Sequence, residues 1–349
     1  MKNQMTPRER MNAFARGEEI DRVVTVPDMG VTMIHVLGLK ASKYYRSAEL
    51  MADLEVALFE KLNHDSVSIS TSLRGVAEAM GAKVGYPDYN ISYLLEPAIH
   101  SVQEIDRLKP VNPLTDGNLP TLLEAIRLTS NRLSDKVDVG AAMSGPLSVA
   151  ASVIGTEQLL KWMVKHPKEL HQVMEVVAES NDNYIKEVAK LGVGIGFADP
   201  VSSTTLISPK NFREFSLPYL KQNIQTIIKH TNSKPGIHIC GKSRDIWLDV
   251  VEADISNFSI DDIEDLENAK AVMGDKVIIT GNVPPVSVIH FGDQDAIETS
   301  VRECIRKGYD SPKGYILSTG CQIPMNTSIE KVKMFMDAAD RFGQYRDLL

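Results

Sequence analysis

The chain has 349 residues, of which 43% are hydrophobic and 24% are charged, and its formal net charge at pH 7 is -8. That length suffices for one large domain or two ordinary ones. An acidic chain lacks the basic surface that is typical of nucleic-acid-binding proteins, so we expect no nucleic-acid partner.

Cysteine usage and the first residues of the chain predict a reduced, cytoplasmic protein. The three cysteines, Cys240, Cys304 and Cys321, are too few for a disulfide framework. Residues 1–10 are polar and charged and lack the apolar core of a signal peptide. No apolar run approaches the roughly 20 residues that span a bilayer, so we expect no membrane association.

The amino-terminal half predicts a helix followed by three strands and their helices. Thr6 as N-cap, Pro7 at the first helical position and Glu9 at the capping-box position predict an amino-terminal helix. Apolar periodicity predicts strands at 21–26, 65–70 and 137–143, and helices at 47–62, 119–133 and 167–191. Between the second and third strands, residues 81–86 predict a short extra strand and residues 87–113 a long, partly irregular insertion.

The carboxyl-terminal half alternates regularly between strands and helices. Its predicted strands lie at 193–197, 235–239, 255–259, 277–280 and 314–318. Helices are predicted at 209–230, with a kink at Pro218, and at 244–251, 263–273, 296–307 and 328–342. Eight strands that alternate with helices are typical of a TIM (β/α)8 barrel. We expect one α/β domain over residues 1–349, with an amino-terminal helical extension and an insertion between the second and third strands.

Polar side chains recur at the predicted carboxyl ends of the strands, where TIM barrels carry their functional groups. They are Asp28, Ser70, Ser144, Asp199, His238, Cys240, Asp261, Asn282 and Cys321. His238 and Cys240 are two residues apart on one strand, so their side chains project to the same side. Cys321 follows a later apolar run.

One imidazole and two thiols are suited to Zn²⁺, and three protein ligands leave one tetrahedral position open, as in catalytic sites. We therefore predict a zinc site formed by His238, Cys240 and Cys321. A substrate thiol in the open position would lose its proton at neutral pH, and the thiolate is the nucleophile.

Each of these residues also has a simpler explanation. A buried cysteine often serves as a small apolar residue, and Cys304, in the middle of a predicted helix, keeps that interpretation. Asp199 and Asn282 also fit turns, and Asp261 also fits a helix cap.

Four segments resemble the uroporphyrinogen decarboxylase superfamily and, within it, the methylcobamide:coenzyme M methyltransferases. They are 198–203 (ADPVSS), 238–242 (HICGK), 281–283 (GNV) and 320–324 (GCQIP, with a threonine at 327). The likeness covers nearly the whole chain, including residues 6–10 and 78–81. The His-x-Cys pair with the later Gly-Cys is specific to the methyltransferase branch, whereas the barrel itself says little about function.

The resemblance implies zinc bound by His238, Cys240 and Cys321. It also implies transfer of a methyl group from a methylated corrinoid, carried on a partner corrinoid protein, to a small thiol, most simply coenzyme M. Homocysteine and a pterin are alternative acceptors. Relatives in this superfamily suggest a monomer or a homodimer.

The resemblance also suggests roles for the remaining polar residues. Asp261 takes the position of an acidic residue near the metal and would be a labile fourth ligand. Asp199 and Asn282 would shape the site and orient the thiol. Ser144 and Ser202 are candidate hydrogen-bond donors to the sulfonate of the bound acceptor.

Two departures separate the chain from the decarboxylases of the superfamily. Those enzymes carry an arginine-rich segment after the first strand, but residues 26–32 contain no arginine. Their catalytic aspartate near the second strand is replaced by the serine-rich segment 68–72. Without cations to pair with substrate carboxylates, tetrapyrrole decarboxylation is the weaker alternative. A corrinoid- or metal-binding module without catalysis is a further one.

Overall fold

The fold is a TIM barrel, in which eight parallel strands curl into one sheet and helices surround it. The computed structural model describes residues 4–348. In chain order the strands are β1 (Val24–Thr25), β2 (Ser66–Ser70), β3 (Lys83–Gly85), β4 (Tyr93–Glu96), β5 (Asp138–Ser144), β6 (Gly194–Ala198), β7 (Gly236–Ile239), β8 (Asn257–Ile260), β9 (Ile278–Val283) and β10 (Tyr315–Thr319). The barrel strands follow the order β1-β10-β9-β8-β7-β6-β5-β2, and β3 pairs with β4 in a separate antiparallel hairpin.

Helices connect the strands and cover the barrel. They are α1 (Pro7–Ala15), α2 (Ala41–Tyr44), α3 (Ala48–Leu62), α4 (Gly75–Ala79), α5 (Leu119–Leu133), α6 (Pro146–Ile154), α7 (Thr156–Lys165), α8 (Pro167–Ala189), α9 (Pro209–Asn211), α10 (Leu217–Thr231), α11 (Trp247–Val251), α12 (Leu266–Met273), α13 (Gln294–Gly308), α14 (Ile329–Phe342) and α15 (Tyr345–Leu348). Short 3₁₀ segments lie at Val31–Leu37, Val102–Arg107, Pro200–Ser202 and Arg244–Ile246, and π-helical segments at Phe212–Ser216 and Pro285–His290. Within residues 4–348, no helix has both the length and the apolar character needed to cross a membrane.

Local sequence explains where two helices begin. The Thr6 hydroxyl accepts from the Glu9 amide at 3.3 Å, and the Glu9 carboxylate accepts from the Thr6 amide at 2.8 Å. The predicted capping box of α1 is therefore confirmed. The hydroxyl of Ser47 accepts from the Leu50 amide at 3.2 Å and caps α3.

The predicted helix over 209–230 is interrupted rather than simply kinked. A π-helical segment at Phe212–Ser216 separates α9 from α10, and Pro218 is the second residue of α10. Because Pro218 has no N–H and its ring crowds the carbonyl one turn earlier, the irregularity precedes the proline.

The barrel closes between β1 and β2 through one backbone hydrogen bond and the side chain of Asp65. In the part of the chain that the structure describes, these two strands share no ladder. Instead, the Asp65 amide donates to the Thr25 carbonyl at 3.0 Å, and the Thr25 amide donates to Oδ2 of Asp65 at 2.7 Å. Arg10 and Arg22 donate to the same buried carboxylate at 2.6 and 2.7 Å. A buried charge is stable only when it is paired in this way.

The predicted insertion lies between the carboxyl end of β2 and the start of α5. The short strand expected near 81–86 is confirmed as β3, but its partner β4 was not predicted. Parallel strands bring all their carboxyl ends to one end of the barrel. The insertion therefore shares that end with the residues that follow β7, β8 and β10.

Candidate metal centre

Three soft ligands meet at the carboxyl ends of β7 and β10. His238 lies in β7, Cys240 directly follows it, and Cys321 lies two residues beyond β10. Nε2 of His238 is 3.0 Å from Sγ of Cys240, which is 3.5 Å from Sγ of Cys321. All three ligating atoms lie within 4.8 Å of one another. The structure thus brings together the three residues that the sequence singled out.

The neighbouring strand holds the imidazole in position. His238 pairs in register with Ser259 of β8. Nδ1 of His238 is 3.1 Å from the Ser259 hydroxyl and 3.2 Å from the Ser259 carbonyl oxygen. Because Nδ1 is engaged on this side, Nε2 remains directed at the sulfurs, as an outer partner does for a metal-bound histidine. Ser259 was not predicted, and its only sequence signal is a serine between two apolar residues of a buried strand.

A tight turn positions the thiol of Cys240. Gly241 has φ +71°, and a Cβ there would lie 2.8 Å from the hydroxyls of Ser203 and Thr205. The Gly241 amide donates to Oδ2 of Asp261 at 2.6 Å. Only glycine adopts this conformation in this space without strain, so the turn fixes where Cys240 leaves β7.

The pKa values of the three side chains in this cluster are shifted in different directions. Hydrogen bonds from Cys240 and His238 hold the pKa of Cys321 well below its usual range, although burial opposes this. The hydrogen bond to Cys321, together with burial, raises the pKa of Cys240. Burial alone would lower the pKa of His238, but Cys321, Asp28 and Asp261 outweigh it and raise the pKa. The side chains around the centre therefore create a negative electrostatic potential, which favours the binding of a cation.

Asp28 lies among the same charges, at the mouth of the barrel. Asp28 retains solvent-accessible surface, but many protein atoms surround its carboxylate and reduce its solvation. This desolvation, together with the charge of Cys321, raises the pKa of Asp28 to about 6, and His238 opposes the shift. Asp28 appeared among the strand-end residues in the sequence, but no role was assigned to it.

Asp261 and Asn282 lie beside the centre and support its loops. Oδ1 of Asp261 accepts from the Ile263 amide at 3.1 Å, so both carboxylate oxygens have backbone donors. Asp261 is not among the side chains whose ligating atoms cluster within 4.8 Å in residues 4–348. Nδ2 of Asn282 donates to the carbonyls of Asp261 and Glu264 at 3.0 and 2.7 Å. The fourth-ligand role of Asp261 and the thiol-orienting role of Asn282 stay predictions.

Asp199 and its neighbours are buried away from solvent. Oδ1 of Asp199 accepts from the Ser148 amide at 2.9 Å and the Ser148 hydroxyl at 2.5 Å, and Oδ2 accepts from the Ser202 hydroxyl at 2.7 Å. The Ser202 oxygen also lies 2.7 Å from that of Ser216. These contacts join α6 to the loop after β6. The Asp199 amide donates to the His238 carbonyl at 2.9 Å. Within residues 4–348, however, the Asp199 carboxylate and the Ser202 hydroxyl make no hydrogen bond to the side chains of the metal ligands, so their catalytic and ligand-binding roles stay predictions.

Ser144, at the end of β5, is also fully buried. Its hydroxyl has no hydrogen-bond partner among residues 4–348, while its carbonyl accepts from Asn181 at 3.3 Å. The predicted contact of Ser144 with a sulfonate has no supporting geometry and stays a prediction.

The residues present fit zinc. Tetrahedral Zn²⁺ with bonds of about 2.0–2.3 Å separates its nitrogen and sulfur ligands by about 3.5–3.8 Å. The observed separations of 3.0 and 3.5 Å require only small movements to reach that geometry. One nitrogen and two sulfurs leave one position for a further ligand.

The profile of the uroporphyrinogen decarboxylase (URO-D) family matches residues 6–342. The chain belongs to this family. Within the URO-D family, it is similar over its full length to methyltransferases. Methylcobamide:CoM methyltransferase MtaA of Methanosarcina barkeri is 26% identical over 345 residues, which cover 97% of this chain and 99% of that protein.

Two further relatives agree with this placement inside the URO-D family. The methylated-thiol–coenzyme M methyltransferase of Methanosarcina mazei is 25% identical over 361 residues, covering 100% of this chain and 94% of that protein. The solved structure of a methyltransferase from Methanosarcina mazei superposes with a TM-score of 0.85 at 27% identity, covering 97% of this chain and 99% of that one. The resemblance to the methyltransferase branch is therefore confirmed, and the relatives support a methyltransferase.

Proposed function

We propose that this URO-D family protein is a zinc-dependent methyltransferase. It moves a methyl group from a methylated corrinoid, presented by a corrinoid protein, to a small thiol, with coenzyme M as the leading acceptor. The observation that carries the proposal is the convergence of Nε2 of His238 with the sulfurs of Cys240 and Cys321 within 4.8 Å. The named activities of the methyltransferase relatives support the choice of donor and acceptor.

The residues of the chain prepare this centre for a thiol. Zn²⁺ bound by the three ligands would hold the acceptor sulfur and lower the pKa of its thiol, so that a thiolate exists at neutral pH. Ser259 keeps Nδ1 of His238 occupied and Nε2 free for the metal. Asp28 is an accessible carboxylate beside these ligands and is placed to take up the thiol proton.

The transfer itself balances as a nucleophilic substitution. The thiolate sulfur forms a bond to the methyl carbon, and the carbon–cobalt bond breaks. The electron pair of that bond stays on cobalt, which passes from Co(III) to Co(I), and the product is a methyl thioether. No further oxidant or reductant is required.

A decarboxylase that acts on a tetrapyrrole is the second candidate, and the distribution of arginine disfavours it. Such a substrate carries several carboxylates that need cationic partners. The segment after β1 has no arginine. The buried Arg10 and Arg22 are already paired with Asp65 beside the start of β2, away from the metal ligands.

The deciding experiment offers methylcobalamin and a panel of acceptors to zinc-loaded protein. The panel contains coenzyme M, homocysteine, 2-mercaptoethanol and tetrahydrofolate. Demethylation is followed by the absorbance of the corrinoid, and the methylated product is identified by mass spectrometry. We expect the fastest transfer to coenzyme M and none by Cys240→Ala protein. Absence of a methylated product with every acceptor would contradict the proposal, and transfer to the pterin alone would contradict the thiol assignment.

A further inference from the structure

The insertion after β2 exposes a row of large apolar side chains. We define the apolar stripe by four residues with exposed fractions of 69%, 42%, 49% and 59%, which are Tyr89, Ile91, Tyr93 and Leu95. Alternate residues of an extended chain point to the same side. Between Ile91, Tyr93 and Leu95, Ser92 is buried and Leu94 packs against the core, whereas Tyr89 lies in the bend that precedes this extended segment. The outward face of β4 is therefore apolar, whereas the solvent face of a sheet is normally polar.

A contact with strand β3 holds the side chain of Tyr93, in the middle of the apolar stripe, in one orientation. Tyr93 lies opposite Gly85 in the ladder between β3 and β4. A Cβ on Gly85 would lie 2.7 Å from the Tyr93 ring, so the ring covers the glycine. The orientation of Tyr93 is thus set before any partner arrives. A preformed surface binds without the entropy cost of ordering its side chains.

Hydrogen bonds attach the apolar stripe to the rim of the barrel. The Ser92 amide donates to the Tyr45 hydroxyl at 3.0 Å, and the Ser92 hydroxyl donates to the Ser72 carbonyl at 3.5 Å. The Ala41 amide donates to the Asp88 carbonyl at 2.9 Å. Ala41 and Tyr45 follow β1, and Ser72 follows β2. The stripe is therefore anchored to connections that leave the same end of the barrel as the residues of the metal centre.

Other exposed apolar side chains lie at the same end of the barrel. The loops after β6, β8 and β9 expose, to between 47% and 74%, Leu206, Ile263, Val286 and Phe291. Among exposed large apolar residues in the part of the chain that is described, only Val164 and Leu248 lie outside connections that leave the carboxyl ends of strands. Exposed apolar surface of this kind marks interaction sites, and here it lies at the same end of the barrel as the metal ligands.

We infer that the apolar stripe is a docking surface for the protein that carries the methylated corrinoid. The inference rests on the proposed function. The interior of a TIM barrel is filled with side chains, so a corrin ring reaches the ligands only from outside, and its protein must rest on the rim. A second copy of this chain seated there would block the donor in every turnover. Tyrosine-rich, preformed patches are also typical of the energetic centres of protein interfaces.

The test compares a free donor with a protein-bound donor. Tyr93→Ser/Leu95→Ser protein is assayed with free methylcobalamin and with methylated corrinoid proteins purified from Methanosarcina barkeri. We expect the KM for the protein donor to rise at least about tenfold, as for loss of an interface anchor, with the rate from free methylcobalamin unchanged. Tyr89→Ser/Ile91→Ser protein, altered before β4, should show the same rise in KM for the protein donor and the same unchanged rate from free methylcobalamin. Val164→Ser protein, altered at an exposed apolar residue of α7, should match the unaltered protein with both donors.

Several results would overturn the inference. One is an unchanged KM for the protein donor in both double variants while they remain folded by circular dichroism. Another is equal loss with both donors, which would indicate damage to the metal centre. A third is unaltered protein that uses no corrinoid protein better than free methylcobalamin. A dimer that the substitutions dissociate, with an unchanged donor KM, would assign the stripe to self-association instead. Absence of transfer to any thiol in unaltered protein would contradict the proposed function itself.

Discussion

The hydroxyl of Ser259 lies 3.1 Å from Nδ1 of His238, on the side of the ring away from the two sulfurs. This contact leaves Nε2 facing the two sulfurs, where the proposed zinc would bind. We expect Ser259→Ala to weaken zinc binding about tenfold, the lower end of the usual effect of such partners, because the Ser259 carbonyl remains at 3.2 Å. Competition with a chromophoric chelator measures the affinity. Ser256→Ala, directly before β8, is the control, and equal zinc affinities in the two variants would contradict the role of Ser259.

We expect two of the three cysteines, but not the third, to be needed for zinc binding. Cys240→Ala and Cys321→Ala each remove one sulfur ligand, so we expect both to lose most of their zinc. Cys304 is buried in α13, outside the cluster of ligating atoms. Cys304→Ala should therefore retain the zinc content of the unaltered protein. Metal analysis after dialysis decides the matter, and full occupancy in either of the first two variants would remove that cysteine from the site.

Asp199 should affect stability and leave the metal in place. Asp199→Ala leaves the donors on Ser148 and Ser202 buried without an acceptor. We expect the free energy of unfolding to fall by about 3 kcal/mol, with zinc content unchanged. Asp249→Ala removes a partly exposed ion pair with Arg213 and should cost less than about 1 kcal/mol. Urea unfolding compares the two. Normal stability with lost methyl transfer would instead give Asp199 a direct role in the reaction.

Glu55 should make the protein less stable as the pH rises. Its side chain is 3% exposed, and burial, with the charge of Asp28, raises its pKa to about 8. An unfolded glutamate has a pKa of about 4.3, so the folded state holds an extra proton between these values. The free energy of unfolding therefore falls with rising pH across this range, by at most about 1.4 kcal/mol per pH unit.

Glu55→Gln removes this contribution and should flatten the pH dependence. Urea unfolding at pH 6 and pH 8 measures the change, with Glu60→Gln on the exposed side of α3 as the matched control. Equal pH dependence in the unaltered protein and in Glu55→Gln would show that the buried carboxyl does not hold its proton.

Short-range patterns in the sequence predicted most of the fold. The capping box of Thr6 and Glu9 depends on residues three positions apart and is confirmed. The helix predicted over 47–62 is found as α3, which begins at Ala48. His238 and Cys240 could be paired because alternation along a strand is a local rule. β4 was missed because its outward residues are apolar, which removes the alternation that marks an exposed strand.

Long-range partners could not be read from the sequence. The sequence shows that Asp199 ends a strand, but the groups that satisfy its carboxylate include Ser148, 51 residues earlier. The partner of His238 is on another strand, 21 residues later. The direction of a side chain and the donors that surround it depend on which strands are neighbours, and that information appears only when the barrel is assembled.

The junction between β1 and β2 links the two ends of the barrel. β1 has only two residues, and Thr25 is bound by Asp65, whose carboxylate also holds Arg10 of α1. Asp28 follows Thr25 by three residues. The strand that leads to Asp28, an accessible carboxylate beside the proposed metal ligands, is thus anchored by a salt bridge to the amino-terminal helix at the opposite end of the barrel.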